Sequence, residues 1–511
     1  MTQINQFKWQ ETLILLIAGS ISVFAFAPCN ISLVMLISIL ILLWVIQNKP
    51  HDTKFKVILL YAYIYGFTYF NAQLYWIFYS LDVVIHAGFV VSLIGHICFM
   101  LFLASYIVLA IVSYFKLQTK SRSFNLIFLF PSIWVMFEWL RGWILGGFSW
   151  CDVSYSQINP GVFKGLFPIL GSYGVSWIFL SLSGALFLLI SNKPIFNINK
   201  KYLRWVLIYF SVIGITLFYI NSIEYTHPYG KMVNVELIQG NIPEGEKWNS
   251  TNALNVYKEE IAKAHADIVL IPETAIALFE DELPHGYLDG LIDIAKSRGF
   301  DLIVGMPVVI DDKGSYVNAA IALTAKGQPY YAKYHLVPYG EYIPAKWILG
   351  PVYKAISLPM VGFSEGSENQ KPIVLDNQKM AFNICYENGF NFELYKAASN
   401  STMMVNLSDM VWYGTTIAKD EHLQLSQARA MENQRYFIQE TNTGLTAIID
   451  QNGHIQSILP IFKRDTLNDY VQGRIGYTPF EKLGNLTIII FCSSIIAFAV
   501  YLSFIRRKRK K

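Results

Sequence analysis

The strongest constraint on the fold of this chain is the uneven distribution of its apolar residues. Of its 511 residues, 54% are hydrophobic and 15% are charged, whereas about a quarter of the residues of an ordinary soluble chain are charged. The apolar excess lies before about Thr226 and again after about Asn485. The chain is therefore predicted to be part membrane protein and part globular protein, with a globular part large enough to bury its own core.

Runs of about 20 apolar residues can cross a bilayer as helices. Such runs are predicted near 11–28, 31–47, 56–78, 84–115, 125–143, 163–192, 203–221 and 485–505. They predict three parts: 1–221 as a transmembrane domain of about seven helices, 222–484 as an extramembrane domain, and 485–511 as a last transmembrane helix with a basic tail.

The basic residues predict how these eight spans are oriented. Lysine and arginine cluster between spans two and three, four and five, and six and seven, and the chain ends with six basic residues, 506–511. Such clusters mark the cytoplasmic side of a membrane, and with the N-terminus inside all of them lie there. The same parity places 222–484 outside the cytoplasm. The net charge of +4 is too small to indicate a nucleic-acid partner.

Short β-rich runs and helical patterns follow one another in the extramembrane part. The β-rich runs are Val233–Gln239, Ile268–Ile271, Leu302–Val309, Met380–Cys385 and Met403–Leu407. Helical patterns lie between some of them, at Asn252–Ala266 and Leu288–Arg298. The tripeptide at 451–453, Gln-Asn-Gly, predicts a hairpin near the end. This alternation favours a layered α/β sandwich.

Cys385 is the one cysteine in the predicted extramembrane domain, so no disulfide can form within that domain. It directly follows an apolar run, as do Glu273 and Lys333, and a sheet delivers residues in such places to one rim. Taken singly, an edge carboxylate, a solvated lysine and a core cysteine are the ordinary interpretations. No metal-ligand spacing surrounds His335 or His422, although a Cys–His pair is an alternative. Neither a metal nor a cofactor is predicted.

At these same three places the sequence resembles the nitrilase superfamily, whose catalytic set is a glutamate, a lysine and a cysteine in that chain order. The matching stretches are Ile271–Ala275, Tyr331–Glu341 and Ile384–Glu387. The resemblance implies that the extramembrane domain is an αββα sandwich. It also implies that Glu273, Lys333 and Cys385 are the catalytic residues.

The membrane part narrows this resemblance to the apolipoprotein N-acyltransferases of Gram-negative bacteria, which the chain resembles over almost its whole length. Further matching segments are 24–28, 138–143, 147–150, 155–157, 235–243, 247–248, 412–414 and 441–444. The chain departs from the family pattern at Ile271, where Trp is frequent. A second departure is at 408–412, which reads Ser-Asp-Met-Val-Trp instead of Ser-Asn-Asp-Ala-Trp.

The resemblance implies acyl transfer from a phospholipid to the N-terminal amino group of a diacylglyceryl-cysteine apolipoprotein, at the bacterial inner membrane with the catalytic domain in the periplasm. A thiol is mostly protonated at neutral pH, so Cys385 needs a base or a nearby cation to act as a nucleophile. Glu273 would be the general base and then the acid. Lys333 and a backbone amide would stabilise the oxyanion. A thioester on Cys385 would give ping-pong kinetics.

Other residues near these motifs are predicted to assist. The resemblance implies that Glu341 and Glu387 orient the lysine and the thiol region, although surface carboxylates of a structural network are an alternative. Tyr386 is predicted to be a further supporting residue, and Trp248, Asn318 and Trp412 are predicted to bind the substrate. The aromatic ones also fit an ordinary core.

The sequence leaves several alternatives open. The apolar segment at 339–360 is either a packed loop or an arm that enters the membrane interface. Glu138 and Arg141, three residues apart on one predicted helix, are either an intrahelical pair or a functional, headgroup-binding site. The rival activities are a membrane-anchored nitrilase-type amidohydrolase, with water as the acceptor, and a transporter or receptor whose outer domain only binds.

Overall fold

The computed structural model describes residues 8–49, 53–159, 161–191, 200–247, 251–324, 327–338, 340–343, 347, 350 and 362–508. The chain forms two compact units. The helical unit comprises Met1–Phe78, Phe89–Ile223 and Leu483–Lys511, and the sandwich unit comprises Tyr79–Gly88 and Glu224–Lys482.

The helical unit consists of apolar helices. The longer ones are α1 (Trp9–Ile21), α2 (Ser32–Gln47), α3 (Phe55–Gln73), α4 (Phe89–Leu117), α5 (Phe130–Arg141), α6 (Phe167–Ser191), α7 (Lys200–Ile220) and the C-terminal helix (Leu486–Lys508). Short helical turns lie at Trp76–Tyr79 and Arg122–Phe124, the second of which leads into α5.

Five helices among the described residues are long and apolar enough to cross a membrane. They are Phe89–Leu117, Arg122–Arg141, Lys164–Ser191, Leu203–Ile220 and Leu486–Ile505. These agree with the last five predicted spans. Because α1, α2 and α3 are not among them, the count of eight spans stays a prediction.

Small residues allow the helices of this unit to approach closely. A Cβ at Gly19 would lie 2.1 Å from the Thr68 Oγ1 atom, and one at Gly184 would lie 2.1 Å from the Leu126 carbonyl oxygen. Any larger side chain would force these helices apart. Close backbone packing of this kind stabilises helix pairs in lipid, where the hydrophobic effect does not drive helices together.

Within the described residues, the sandwich unit contains two six-stranded sheets. The strands are β1 (Thr226–Gln239), β2 (Ile268–Leu270), β3 (Asp301–Val309), β4 (Tyr316–Leu323), β5 (Tyr330–Ala332), β6 (Ile373–Leu375), β7 (Gln378–Ile384), β8 (Met403–Ser408), β9 (Phe437–Thr441), β10 (Ala447–Ile449), β11 (Ile455–Ile458) and β12 (Asp465–Gly476). The first sheet has the order β12-β1-β2-β3-β4-β5 and the second β11-β10-β9-β8-β7-β6.

Helices cover the outer face of each sheet. They are α8 (Thr251–Lys263), α9 (Tyr287–Arg298), α10 (Asn391–Ser399) and α11 (Ala418–Asn433), with short helices at Glu244–Lys247 and Pro479–Leu483. In α8 the spacing of Leu254, Tyr257 and Ile261 places their side chains on one buried face. Gly299 caps helix α9 directly after Arg298, and its φ of +80° suits a residue without a Cβ.

Three apolar layers hold the sandwich unit together. One joins α8 and α9 to the first sheet around Tyr257, and a second lies between the sheets around Phe382. The third joins α10 and α11 to the second sheet around Phe437. The central strands of each sheet run parallel and are buried on both faces. The predicted αββα sandwich is confirmed.

Candidate active site

The structure brings the three predicted catalytic residues together. Glu273 lies three residues beyond β2, Lys333 directly follows β5 and Cys385 directly follows β7. The Lys333 Nζ atom is 3.4 Å from Glu273 Oε1, and Glu273 lies close enough to the Cys385 thiol for its negative charge to act on it. All three residues are buried. A base, a cation and a thiol therefore share one site that excludes bulk water.

Both carboxylate oxygens of Glu273 are held by neighbouring elements. The Asn318 side-chain amide on β4 donates to Oε1 at 2.8 Å, and the Asp409 backbone N–H after β8 donates to Oε2 at 3.0 Å. Gly305 on β3 makes room for the turn after β2 that carries Glu273, because a Cβ at Gly305 would lie 2.2 Å from the Pro272 carbonyl oxygen. The carboxylate is therefore fixed in one orientation before any substrate arrives.

Lys333 lies between two carboxylates. Its Nζ atom is 2.8 Å from Glu341 Oε1 as well as 3.4 Å from Glu273. Burial alone would lower the pKa of the ammonium, but the charges of Glu341 and Glu273 outweigh burial and raise that pKa above its ordinary value. Glu341 is itself held by the Val337 backbone N–H, at 2.8 Å. The lysine thus stays cationic at neutral pH.

Cys385 has an unusual backbone conformation and a protonated thiol. Its φ of +54° lies in the left-handed region, which a residue with a Cβ adopts at a cost in free energy. Burial, followed by the negative charge of Glu273, raises the pKa of the thiol well above its ordinary value, although Lys333 counteracts this. The resting nucleophile is therefore a thiol, and a reaction requires a base to remove its proton.

Glu387 connects the segment that carries the lysine to the turn that carries the cysteine. Its carboxylate accepts hydrogen bonds from the Tyr331 hydroxyl at 3.0 Å, and from the backbone N–H groups of Tyr334 at 2.8 Å and His335 at 2.9 Å. The Ile384 N–H, directly before the cysteine, donates to the other oxygen at 2.6 Å. Burial raises the pKa of Glu387 to about 7 despite these donors.

Two family models match consecutive parts of the chain. The apolipoprotein N-acyltransferase N-terminal domain matches residues 18–186, and the carbon–nitrogen hydrolase domain matches residues 234–477. An apolipoprotein N-acyltransferase of Chromobacterium violaceum is 34% identical over 497 residues, which cover 96% of this chain and 93% of that relative. The chain belongs to the apolipoprotein N-acyltransferase family.

Other relatives in the family also match over most of their length. An apolipoprotein N-acyltransferase of Neisseria meningitidis serogroup B is 35% identical, over 88% of each chain. One of Methylococcus capsulatus is 30% identical, over 97% of this chain and 96% of the relative. As a member of this family, the chain is an acyltransferase of a membrane.

The other predicted site residues have different surroundings in the structure. Asn318 contacts Glu273, as described above, and the Tyr386 ring packs edge-on against Phe390, with 4.9 Å between ring centroids. Trp412 lies in the turn after β8 and is partly exposed. Trp248 lies outside the described residues.

His422 and His335, the two histidines considered for a Cys–His pair, contact other groups in the structure. The His422 Nε2 atom faces the backbone carbonyl oxygen of Cys385, at 3.1 Å, and burial lowers the pKa of this imidazole to about 4. The His335 Nδ1 atom is 2.9 Å from Glu393. The alternative of a Cys–His pair therefore finds no support. Among the described residues, no group of three or more potential metal ligands is present.

Two neighbours of the site were not predicted from the sequence. Tyr413 is buried and close enough to the Cys385 thiol for the two groups to interact electrostatically. Asp409, noted only as a departure from the family pattern, supplies the N–H that holds Glu273. The matching segment 412–414 was the available signal for Tyr413. Nothing in the sequence indicated the role of the Asp409 backbone.

A segment from within the predicted transmembrane part also packs in the sandwich unit. The Ser80 hydroxyl donates to the Trp412 carbonyl oxygen at 2.7 Å, and the Tyr79 ring fills the space where a Cβ of Gly414 would lie, only 2.3 Å away. The segment Tyr79–Gly88 thus supports the turn that carries Trp412 and Tyr413.

The apolar segment after Lys333 is described only in part. Of its predicted members, Tyr342 and Ile343 are half-buried and Trp347 is exposed. Residues 339, 344–346, 348–349 and 351–361 lie outside the described residues. Whether this segment is a packed loop or a membrane-entering arm stays a prediction.

In the helical unit, Glu138 and Arg141 are buried near the end of α5. The Arg141 Nη2 atom pairs with Asp152 at 2.5 Å, whereas Glu138 accepts from the Trp134 indole at 3.0 Å and the Val153 N–H at 2.9 Å. Arg141 is therefore paired with the loop that follows α5. The intrahelical pair, one of the two alternatives, is not the arrangement observed.

Proposed function

We propose that the chain transfers an acyl chain from a phospholipid to the N-terminal amino group of a diacylglyceryl-cysteine apolipoprotein, through a thioester on Cys385. The observation that carries this mechanism is the burial of Glu273, Lys333 and Cys385 in one site, where Glu273 pairs with the Lys333 ammonium and acts electrostatically on the Cys385 thiol. The similarity to apolipoprotein N-acyltransferases supports an apolipoprotein amine as the acceptor.

The first half-reaction begins with the resting thiol. Glu273 takes the proton from Sγ as the sulfur attacks the ester carbonyl of the phospholipid. The tetrahedral oxyanion forms beside Lys333, whose charge is already in place. As the intermediate collapses, the carbon–oxygen bond breaks and Glu273 protonates the departing lysophospholipid oxygen. The acyl chain remains on Cys385 as a thioester.

The second half-reaction uses the same groups. The acceptor amine attacks the thioester carbonyl and gives a proton to Glu273, and Lys333 again faces the oxyanion. Collapse breaks the carbon–sulfur bond, and the thiolate recovers its proton from Glu273. An amide and the free thiol result. Because the two substrates react in turn with one covalent intermediate, ping-pong kinetics are expected.

Hydrolysis of the thioester by water is the rival outcome, because the carbon–nitrogen hydrolase model also matches this chain. It would use Glu273, Lys333 and Cys385 in the same roles. The five membrane-length helices favour a lipid donor over a soluble amide. The match of residues 18–186 to the N-terminal domain of the acyltransferases points the same way.

The experiment that tests the proposal is intact-mass analysis of the purified full-length chain after incubation with phospholipid vesicles. An added acyl mass is expected on the native chain and on Cys151→Ser, a matched buried thiol of the helical unit, but not on Cys385→Ala. A diacylglyceryl-cysteine peptide should discharge the adduct and leave with an amide-linked acyl chain. Release of free fatty acid at the same rate with and without the peptide would instead establish the hydrolase.

The same proposal includes the side of the membrane on which the catalytic domain lies. The basic clusters and the parity of eight spans support domains at 1–221, 222–484 and 485–511, with the central domain in the periplasm of a bacterial inner membrane. Reporter fusions at either side of the C-terminal helix would test this. A cytoplasmic position for residues 222–484 would contradict both the topology and the lipoprotein acceptor.

A further inference from the structure

A second lysine, Lys247, is buried next to the backbone of the general base. The Lys247 Nζ atom is 2.7 Å from the Asp409 carboxylate, and the two side chains are 0% and 6% exposed. An ion pair this deep costs more in desolvation than it returns unless further polar groups satisfy it. Lys247 finds two, the Thr274 hydroxyl at 2.9 Å and the Glu273 backbone carbonyl oxygen at 3.3 Å.

Asp409 is equally well held. Its other carboxylate oxygen accepts from the Asn442 side-chain amide at 2.7 Å, and its carbonyl oxygen accepts from the Thr443 N–H at 3.2 Å. The next residue, Met410, has a φ of +67°, so the backbone turns sharply immediately after the ion pair. The Asp409 N–H is thereby fixed in direction, and it points at Glu273 Oε2.

These contacts form one continuous path to the base. Lys247 holds the backbone of Glu273 directly and holds, through Asp409, the N–H that binds its carboxylate. This second contact occupies Oε2, while Oε1 faces Asn318 and Lys333. The path joins the ends of β2 and β8, which belong to different sheets. The acidic residue at 409, a departure from the family pattern, makes the pair possible.

We propose that the Lys247–Asp409 ion pair positions the general base Glu273 for acyl transfer. Lys247 and Asp409 are positioning residues, because both act on Glu273 and not on the reacting atoms. The proposal rests on the proposed function, since its readout is acylation of Cys385. The pair is neutral as a whole, so removing either member leaves one unbalanced charge next to the base.

The unbalanced charge in each single variant distinguishes a positioning role of the ion pair from a purely structural role. In Lys247→Gln the Asp409 charge remains, disfavours the ionised base and should move the acidic limb of the rate–pH profile to higher pH by about one unit. In Asp409→Asn the Lys247 charge remains and should move that limb to lower pH. The double variant should return the limb to near its native position. Each single variant should also acylate at least about tenfold more slowly.

The measurement is the rate of acyl-adduct formation on the full-length chain with phospholipid vesicles, followed by intact mass across pH 5 to 9. Lys247→Arg keeps the charge and should restore the native limb with a reduced rate, which covers the case in which Lys247→Gln does not fold. Glu481→Gln is the matched control, because Glu481 pairs with Arg435 in a buried site that touches none of the site residues named above. It should leave the limb unchanged.

The outcomes distinguish a failure of the proposed function from a failure of the ion-pair proposal. If the native chain forms no adduct that Cys385→Ala abolishes, the proposed function is wrong. If the native chain does form it, and both single variants retain the native rate, the ion pair has no part in positioning. Equal losses of rate with an unchanged limb in both single variants would make the pair structural only.

Discussion

The cluster around Arg141 in the helical unit and the cluster around Glu273 in the sandwich unit both bury charged side chains, but their partners lie at different distances along the chain. Arg141 pairs with Asp152, 11 residues later, and Glu138 accepts from Trp134, 4 residues earlier. In the sandwich unit the three groups that hold the Glu273 carboxylate lie 45, 60 and 136 residues away. The first cluster is local, and the second exists only when both sheets are assembled.

This difference predicts how each cluster responds to damage. A local cluster can form within one helix and the loop that follows it, so its loss should lower stability more than it alters chemistry. The cluster around Glu273 joins strands from two sheets that are already held by three apolar layers. Its loss should abolish chemistry in a chain that still folds.

The largest effect is expected when the shared cation of the site is removed. In Lys333→Met, the carboxylates of Glu273 and Glu341 both remain near Asn318 without the ammonium that separates their charges. Acyl-adduct formation should fall by about 10³-fold, because the oxyanion also loses its partner. Lys333→Arg, which keeps the charge but not the compact geometry, should recover a part of this rate. A rate within tenfold of the native one for Lys333→Met would show that the lysine is not needed.

The link between the lysine segment and the cysteine turn should give the next largest effect. Glu387→Ala leaves one buried and two partly buried N–H groups and the Tyr331 hydroxyl without their acceptor, which should cost about 3–5 kcal/mol of stability and slow acylation about 100-fold. Glu387→Gln keeps one acceptor oxygen and should lose less in both measures. Thermal unfolding and adduct formation, measured on the same samples, check this. Equal behaviour of the two variants would contradict an acceptor role.

In the helical unit the expected order of effects is reversed. Arg141→Met leaves Asp152 buried without its cation, which should cost about 3–5 kcal/mol. The double variant Arg141→Met, Asp152→Leu should recover most of that loss, because an apolar pair of similar volume replaces the ion pair. Adduct formation per folded molecule should stay within threefold of the native rate. A large loss of rate in a stable double variant would favour the headgroup-binding alternative for Arg141.

Much of the site was predictable because strand ends leave a signal in the sequence. Glu273, Lys333 and Cys385 each follow an apolar run, and a sandwich with parallel central strands brings such positions to one edge. The family resemblance then supplied their order and the supporting role of Glu387. Local periodicity was sufficient for α8 and α9, whose buried faces repeat at helical spacing.

The contacts that could not be predicted are those between distant polar groups. Most of the sequence of the sandwich unit lies between Lys247 and Asp409, and no sequence pattern indicates that the two residues pair. Hydropathy assigned much of Tyr79–Gly88 to a span or its flank, yet Ser80 bonds to the Trp412 turn. Hydropathy measures transfer to lipid and carries no information about which surface an apolar loop covers.

Among the described residues, Glu440 on β9 has neither a local nor a long-range partner for its buried carboxyl group. It gives the smallest expected effect and the most specific test. Its side chain is 0% exposed, and among the described residues neither carboxyl oxygen has a hydrogen-bond partner. Its register partner on β8 is Leu407, of the apolar layer between the sheets. Burial raises the pKa of Glu440 well above its ordinary value, so the folded chain holds a proton that the unfolded chain releases near pH 4.5.

The sign of the pH dependence follows from that difference. Because the folded pKa is the higher one, the contribution of Glu440 to stability is full below about pH 4.5 and is lost as pH rises through the folded pKa. Glu440→Leu should remove this loss and raise the free energy of unfolding at pH 8 by about 1–3 kcal/mol. Glu440→Gln should flatten the pH dependence with a smaller gain, because its amide stays unsatisfied. Thermal unfolding of the three chains between pH 5 and 8 checks this. Parallel curves for all three would show that Glu440 has a partner in the folded chain.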